Sequence, residues 1–501
     1  MYLKSQKWQV PAMKRPNILF IMCDDHTTQA ISAYGSFINQ TPNIDRIAKQ
    51  GAKLNNAFCT NSICAPSRAA ILTGTYNHVN HVRTIWEDLD NTMPTFVGDL
   101  KDSGYKTAIF GKWHLGHGPK SDPAHFDRWE ILPGQGDYID PVFITPDGEV
   151  THKGYVTTIT TDLALDWLDE IGQEDPFCLL VHHKAPHQPW IPDEKHKHLF
   201  EDMPVPEPAS LHEDLSPRPE GVKNAKMNIY KHMPRFVVKM KTGDVAPVMP
   251  QKEGQSWGYQ LYIKDYLRCV ASIDENTGRI LDYLEEKGLA EDTLIIYTSD
   301  QGFFLGEHSW FDKRYMYDEA IRMPLLMAYP RAIEAGIEID DIVTNVDFAK
   351  TFCDFAGVQP HEGAQGRSFK QLLEKKPVAD WPKSMYYRYW EHDDVIHAAC
   401  AHYGIRTHDY KLICYYGNGM GLEATGDANY PIEWEMFDLK NDPMEMQSVY
   451  HDPAYAAVRE QLLAELNKIQ LEVGDQPYQP GAKVDSVTWK GLNFDWVKDL
   501  F

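Results

Sequence analysis

Asn17-Ile18-Leu19-Phe20-Ile21-Met22-Cys23-Asp24-Asp25 begins with seven uncharged, mostly apolar residues and ends on two carboxylates. A short apolar run without polar alternation reads as a strand buried on both faces, the kind that fills parallel sheets. The pattern recurs three times. Thr107-Ala108-Ile109-Phe110 precedes Lys112-Trp113-His114, and Phe177-Cys178-Leu179-Leu180-Val181 precedes His182-His183 and His187. Thr293-Leu294-Ile295-Ile296-Tyr297 precedes Asp300-Gln301. Helical patterns separate these runs, so residues 15–380 read as α/β with a mainly parallel sheet. Open α/β sheets bind ligands at the carboxyl ends of their strands. Four such ends carrying acids, lysine and histidines predict one shared crevice.

A second segment belongs in that crevice. Cys64-Ala65-Pro66-Ser67-Arg68 runs on as Ala69-Ala70-Ile71-Leu72-Thr73-Gly74. Pro66 suits the first turn of a helix and Gly74 its end. Cys64 then sits at the helix N-terminus, where free N–H groups and the dipole favour negative charge. Arg68 lies one turn on and can reach the same anion. Taken alone, the segment also reads as a buried cysteine beside a helix cap.

Asp24, Asp25, Asp300 and Gln301 offer three carboxylates and one carboxamide oxygen. An all-oxygen set suits a hard cation, with calcium preferred and magnesium the alternative. No cysteine or paired-histidine spacing favours zinc.

The remaining chain is organised around this core. With 501 residues it can bury a large interior. Residues 190–257 are proline-rich and carry Lys223, Lys226, Lys231, Arg235, Lys239 and Lys241. They read as a long insertion or lid on a catalytic domain of residues 15–380, with most of the lysines on a solvated surface. From 381 to 501 the pattern becomes a small α+β subdomain. Ser384–Trp390, Tyr403–Tyr416 and Glu433–Leu439 read as antiparallel strands, and Asp452-Pro453 caps a helix with Val458, Leu462, Leu463, Leu466 and Ile469 on one stripe. The segment after Gly474 is irregular and aromatic, and is expected to pack back on the body.

Lys and Arg number 49 against 72 Asp and Glu, a net charge of −23. That argues against a nucleic-acid partner. No apolar run reaches the roughly 18 residues of a membrane span. Met1 to Lys14 lacks the apolar centre of a signal peptide, which points to the cytoplasm; a periplasmic or secreted location requires a leader already removed. The eight cysteines form no C-x-x-C pair, and Cys23, Cys178 and Cys269 read as free core thiols. A Cys59–Cys64 disulfide is disfavoured by the helix context of Cys64. Nothing in the sequence sets an oligomeric state.

Several motifs in order resemble the type I, formylglycine-dependent sulfatases of the alkaline phosphatase-like superfamily. Cys64-Ala65-Pro66-Ser67-Arg68 has their C-x-P-S-R form. Thr41-Pro42-Asn43-Ile44-Asp45-Arg46 resembles the helix after their first metal strand. Gly111-Lys112-Trp113-His114-Leu115-Gly116 is similar to their G-K-W-H-L-G motif, and Ala185-Pro186-His187-Gln188-Pro189-Trp190 to their P-H-x-P-W segment. Ser299-Asp300-Gln301-Gly302, with Asp312-Lys313-Arg314 beyond it, resembles their second metal corner and its lysine. Asp438-Leu439 with Asp442-Pro443 resembles their C-terminal turn. Gln301 departs from the pattern, since many relatives carry Asn or His there.

The resemblance implies a large mixed, mainly parallel sheet sandwiched by helices. It implies that a maturation enzyme oxidises Cys64 to formylglycine, whose hydrate attacks sulfur and also ligates the metal. Asp300 would activate one hydroxyl. Arg68, Lys112, Lys313 and the cation would hold the sulfate oxygens. His187 would protonate the departing oxygen, and His114 would deprotonate the second hydroxyl to release sulfate from the covalent sulfo-enzyme. The run Gly302–Arg314, with His402–Thr407, is most similar to bacterial glycan sulfatases, including N-acetylglucosamine-6-sulfatases. His308, Trp390, His392 and His402 are therefore candidates to contact a sulfated sugar. The alternative on the same fold is a phosphodiester or phosphonate monoester hydrolase.

Overall fold

The computed structural model describes residues 15–172, 175–233 and 249–484. A ten-stranded sheet forms its centre. Its strands in chain order are β1 (Asn17–Cys23), β2 (Ala52–Leu54), β3 (Lys106–Lys112), β4 (Arg128–Leu132), β5 (Val142–Thr145), β6 (Gly148–Thr151), β7 (Phe177–His182), β8 (Thr293–Ser299), β9 (Leu325–Ala328) and β10 (Ile337–Ile339). Their spatial order is β10-β2-β9-β8-β1-β7-β3-β4-β5-β6. The four apolar runs read from the sequence are the adjacent strands β8, β1, β7 and β3. All are parallel, with Phe20 of β1 level with Leu180 of β7 and Ile296 of β8. Antiparallel pairing enters through β9 and β5, which makes the sheet mixed.

Strand β1 shows why these runs carry no polar alternation. Ile18, Phe20 and Met22 enter one core, and Leu19, Ile21 and Cys23 enter the other. The first core is covered by the helices Cys64–Thr73 and Phe348–Ala356, through Ala65, Ala69, Phe348 and Phe352. The second is covered by Val156–Ile171 and the 36-residue helix Gln251–Glu286, through Trp167, Tyr262, Tyr266 and Ile273. Both faces being buried, every position must be apolar.

The long helix starts at Gln251, so the end of the proline-rich stretch belongs to the helical layer. Within that stretch Val205, Leu211, Val222, Met227 and Ile229 are buried, and the described part packs on the body. Lys223 and Lys231 are exposed, as expected of a solvated face. Arg235, Lys239 and Lys241 lie outside the described residues, as does the aromatic stretch beyond Val484.

A second sheet contains β11 (Ser384–Tyr389), β12 (His402–Thr407), β13 (Tyr410–Tyr415) and β14 (Glu433–Asp438), antiparallel throughout. The segment 403–416 is therefore a hairpin and not one strand. It turns at His408-Asp409, where Tyr410 N–H donates to Thr407 Oγ1 at 2.9 Å. The helix Ala456–Glu472 lays Leu462 and Leu466 on this sheet. All eight cysteines are free and buried, Cys59 and Cys64 among them.

Candidate active site

The helix Cys64–Thr73 begins after an extended Ile63 and ends at Gly74, whose φ of 62° is left-handed. Its N-terminus points at the carboxyl ends of β1 and β8. Cys64 Sγ–H donates to Asp24 Oδ1 at 3.3 Å. Arg68 Nε donates to Asp300 Oδ2 at 3.0 Å, and its Nη1 donates to the Lys112 carbonyl at 2.6 Å. Ser67 Oγ donates to the Asp300 carbonyl, which ties the helix to the second acidic corner.

Cations alternate with these acids. Lys112 Nζ pairs with Asp24 Oδ2 and lies 3.9 Å from Cys64 Sγ. Lys313 Nζ donates to Asp25 Oδ2 at 2.9 Å. His187 Nδ1 bonds the Gln188 carbonyl at 2.9 Å, leaving Nε2 3.8 Å from Asp25 Oδ2. His114 is partly exposed and its φ is 55°; its Nδ1 is sealed without a hydrogen-bond partner.

Burial sets the proton affinities. It pushes the Cys64 thiol up to about 12. It drives His187 and His114 well below the usual imidazole range, with Lys112 acting in the same direction on both. Burial also lowers Lys112, helped by Lys184. For Lys313 burial works against the ammonium, yet Asp25 and Asp312 lift its pKa above the ordinary value. Asp25 moves up because burial outweighs Lys313.

The acids fit a cation. Asp24, Asp25 and Asp300 each present one oxygen within 4.8 Å of the others, all buried. Asp24, Cys64 and His187 form a second group of the same tightness. Gln301 Nε2 bonds Asp25 Oδ1, while its Oε1 is sealed without a partner. An orphaned buried amide oxygen costs about 1–3 kcal/mol. A cation among three carboxylates would satisfy it, and oxygen donors suit calcium or magnesium.

The proposed sugar contacts are placed differently. His308 is fully buried, with Nδ1 2.6 Å from Glu213 Oε2 and its ring against Tyr317. His392 accepts from Ala401 N–H and pairs with the Ala428 carbonyl. His402 bonds the Cys400 carbonyl and is stacked on Tyr387 and Tyr389. Each of these three is 0% exposed, as Cys64 and Lys112 are, and each ring is held by the partners just named. Trp390 lines a cavity, but under the guanidinium of Arg388, 3.6 Å above its ring. His182 caps the sheet end through the Lys112 carbonyl.

The structure adds groups that the sequence did not single out. Gln135 accepts from Lys112 Nζ. Arg314 pairs with Glu391 at 2.7 Å, and His397 faces Asp312 at 3.4 Å. Asp312 and Arg314 flank Lys313 in the chain, so these two pairs hold the residues on either side of that lysine. Asp312-Lys313-Arg314 was visible as a charged triplet, whereas Glu391 and His397 arrive from the second sheet and have no local signature.

Comparison with known proteins agrees with this geometry. Residues 16–358 match the family described as sulfatase, and residues 306–472 match the one described as N-sulphoglucosamine sulphohydrolase, C-terminal. The chain is 41% identical over 520 residues to N-acetylglucosamine-6-O-sulfatase of Bacteroides thetaiotaomicron, covering 95% of this chain and 90% of that one. A solved structure in complex with its substrate D-glucosamine-2-N,6-O-disulfate matches with a TM-score of 0.83 at 41% identity, over 92% of this chain and 98% of the other. The phosphonate monoester hydrolase of Silicibacter pomeroyi shares the fold, with a TM-score of 0.74 at 18% identity over 92% and 96% of the two chains. Motif order, sheet topology and the acid-and-lysine crevice at Cys64 thus converge, and the chain belongs to the sulfatase family of sulfuric ester hydrolases.

Proposed function

We propose that this chain removes a 6-O-sulfate from a glucosamine unit of a sulfated glycan, using Cys64 matured to formylglycine. One observation carries the reading: Cys64 lies at a buried helix N-terminus, within 3.3 Å of Asp24 and 3.9 Å of Lys112. The substrate class rests on the 41% identity to an N-acetylglucosamine-6-O-sulfatase over nearly the whole chain.

Each residue then has a derivable task. Matured Cys64 supplies an aldehyde hydrate with two hydroxyls, one to attack and one to expel the product. A calcium or magnesium ion held by Asp24, Asp25, Asp300 and Gln301 Oε1 would polarise the sulfate oxygens. Arg68, held in plane by Asp300 and the Lys112 carbonyl, together with Lys112 and Lys313, offsets the charge of the sulfuryl group. His187 presents Nε2 to the leaving oxygen, since its Nδ1 faces the Gln188 carbonyl. In this reading His114 takes the proton from the second hydroxyl.

The test is sulfate release by enzyme co-produced with a maturation system, the aldehyde being verified by peptide mass. Substrates are singly sulfated monosaccharides and short glycans, with a phosphate diester as control. Release from the 6-O-sulfated glucosamine isomer is expected. Release from a different positional isomer alone would overturn the assigned position, and cleavage of the diester alone would overturn the sulfatase assignment.

A further inference from the structure

A cavity of about 450 Å³ lies between the second sheet and the residues that follow the nucleophile helix. This volume lies within the roughly 300–1,000 Å³ of small-ligand sites. Its lining bears Arg83, Arg388 and Lys483 against one carboxylate, Asp475. Arg388 and Arg83 each have a carboxylate partner, Asp475 and Glu87, so the excess positive charge of the three is that of Lys483; in a chain of net charge −23 a local excess of that sign favours an anion.

Two of the cations are pre-set. Arg388 is 4% exposed; its Nη1 contacts both Asp475 oxygens at 2.7 and 2.8 Å, and its plane lies on Trp390. That fixes the fork, while Nε remains sealed without a hydrogen-bond partner. Arg83 is held by Glu87 through both Nε and Nη2. Lys483 is exposed and has no ion-pair partner among the described residues. Tyr478 stacks on Tyr416 at 4.9 Å and closes the wall with a flat aromatic face. Fixed guanidinium groups, an exposed ammonium and an aromatic wall together suit a sugar carrying sulfate or carboxylate.

The cavity also adjoins the catalytic crevice through the backbone. Asn61, three residues before Cys64, donates to the Arg83 carbonyl at 3.1 Å. Ile85 N–H donates at 2.8 Å to Glu391, the partner of Arg314.

We propose that this cavity is a second, non-catalytic site for an anionic sugar unit of a sulfated glycan. It rests on the glycan reading above, but its test does not depend on turnover. Full-length chain with an unmatured Cys64 is titrated calorimetrically with a sulfated hexasaccharide and with its desulfated counterpart. A Lys313→Ala chain separates binding in the catalytic crevice, because the cavity component should survive that change. The double variant Lys483→Glu/His81→Glu reverses charge at the mouth of the cavity, where both side chains are exposed. It is expected to weaken the surviving component about tenfold or more. Unchanged affinity in the double variant, equal binding of the desulfated sugar, or no binding in the Lys313→Ala chain would each overturn the proposal. Sulfate release by matured wild-type enzyme is scored separately, so loss of the sulfatase assignment and loss of the cavity assignment are distinguishable.

Discussion

Cys64 has neighbours that make its chemistry testable one atom at a time. A Cys64→Ser chain keeps one hydroxyl where the hydrate would have two. It should accept sulfate once and then stall, lowering steady-state turnover by about a thousandfold or more. Intact-protein mass should show one added sulfuryl group, and sustained turnover would sink the two-hydroxyl mechanism. Gln301 is the second informative residue. Its Oε1 is buried without a partner, so Gln301→Leu should remove an amide donor from the cation site without opening a large cavity. The expected result is apparent calcium affinity weakened about tenfold, read by titrating thermal stability or activity against free calcium. An unchanged titration would exclude Gln301 from the site.

Between β3 and β7 the critical position is Gly111. Its φ is 101°, and a Cβ there would stand 2.0 Å from the His182 carbonyl oxygen. Gly111 is also level with His182 in the parallel register. Only glycine lets these two strand ends approach closely enough to bring Lys112 beside Asp24. Gly111→Ala should therefore cost about 2–4 kcal/mol, through strain at positive φ and displacement of β7. Denaturant unfolding reads it as a lowered midpoint, and a wild-type midpoint would refute the close-packing argument.

Three distant parts of the molecule meet at His308. Glu213 and Arg218 come from the proline-rich stretch, and Glu435 from β14, which Arg218 reaches at 3.2 Å. Burial works against a charged His308, but Glu213 and Glu319 raise its pKa to about 9. Because that value is above the ordinary 6.5, the contribution to stability is full below pH 6.5 and is lost as pH rises through about 9. Thermal stability should fall across that window, and His308→Gln should flatten the fall. A pH profile identical in the variant would show that the ion pair does not link these parts. A cation held by Asp24, Asp25 and Asp300 would act on the whole molecule as well, since it would join the ends of β1 and β8. Calcium at 100 times its Kd should stabilise the fold by about 2.7 kcal/mol. Chelator should reverse the shift, and a melting temperature indifferent to both would remove the cation from the account.

The central strands were legible because burial on both faces demands continuous apolar runs, and that demand is written locally. The nucleophile helix was legible for a similar reason: Pro66 and Gly74 mark its ends by backbone chemistry alone. Strands as short as β2 and β10 carry no such signal, because three residues cannot show a period; pairing with neighbours makes them strands. The hairpin at His408-Asp409 lacked the glycine that usually announces a turn, and a side-chain bond from Thr407 replaces it. His308, His392 and His402 looked able to bind sugar because polar aromatic residues near a catalytic motif suit that role. Only the tertiary structure showed what engages their rings, namely Glu213, the Ala401 and Ala428 backbone, and the Cys400 carbonyl, since partners are set by what packs over a residue and not by the residue. Glu391, His397 and the Arg388–Trp390 wall became visible for the same reason. Glu391 lies 77 positions from Arg314, and Arg388 lies 87 from Asp475; such residues meet by topology, and neither composition nor spacing encodes that meeting locally.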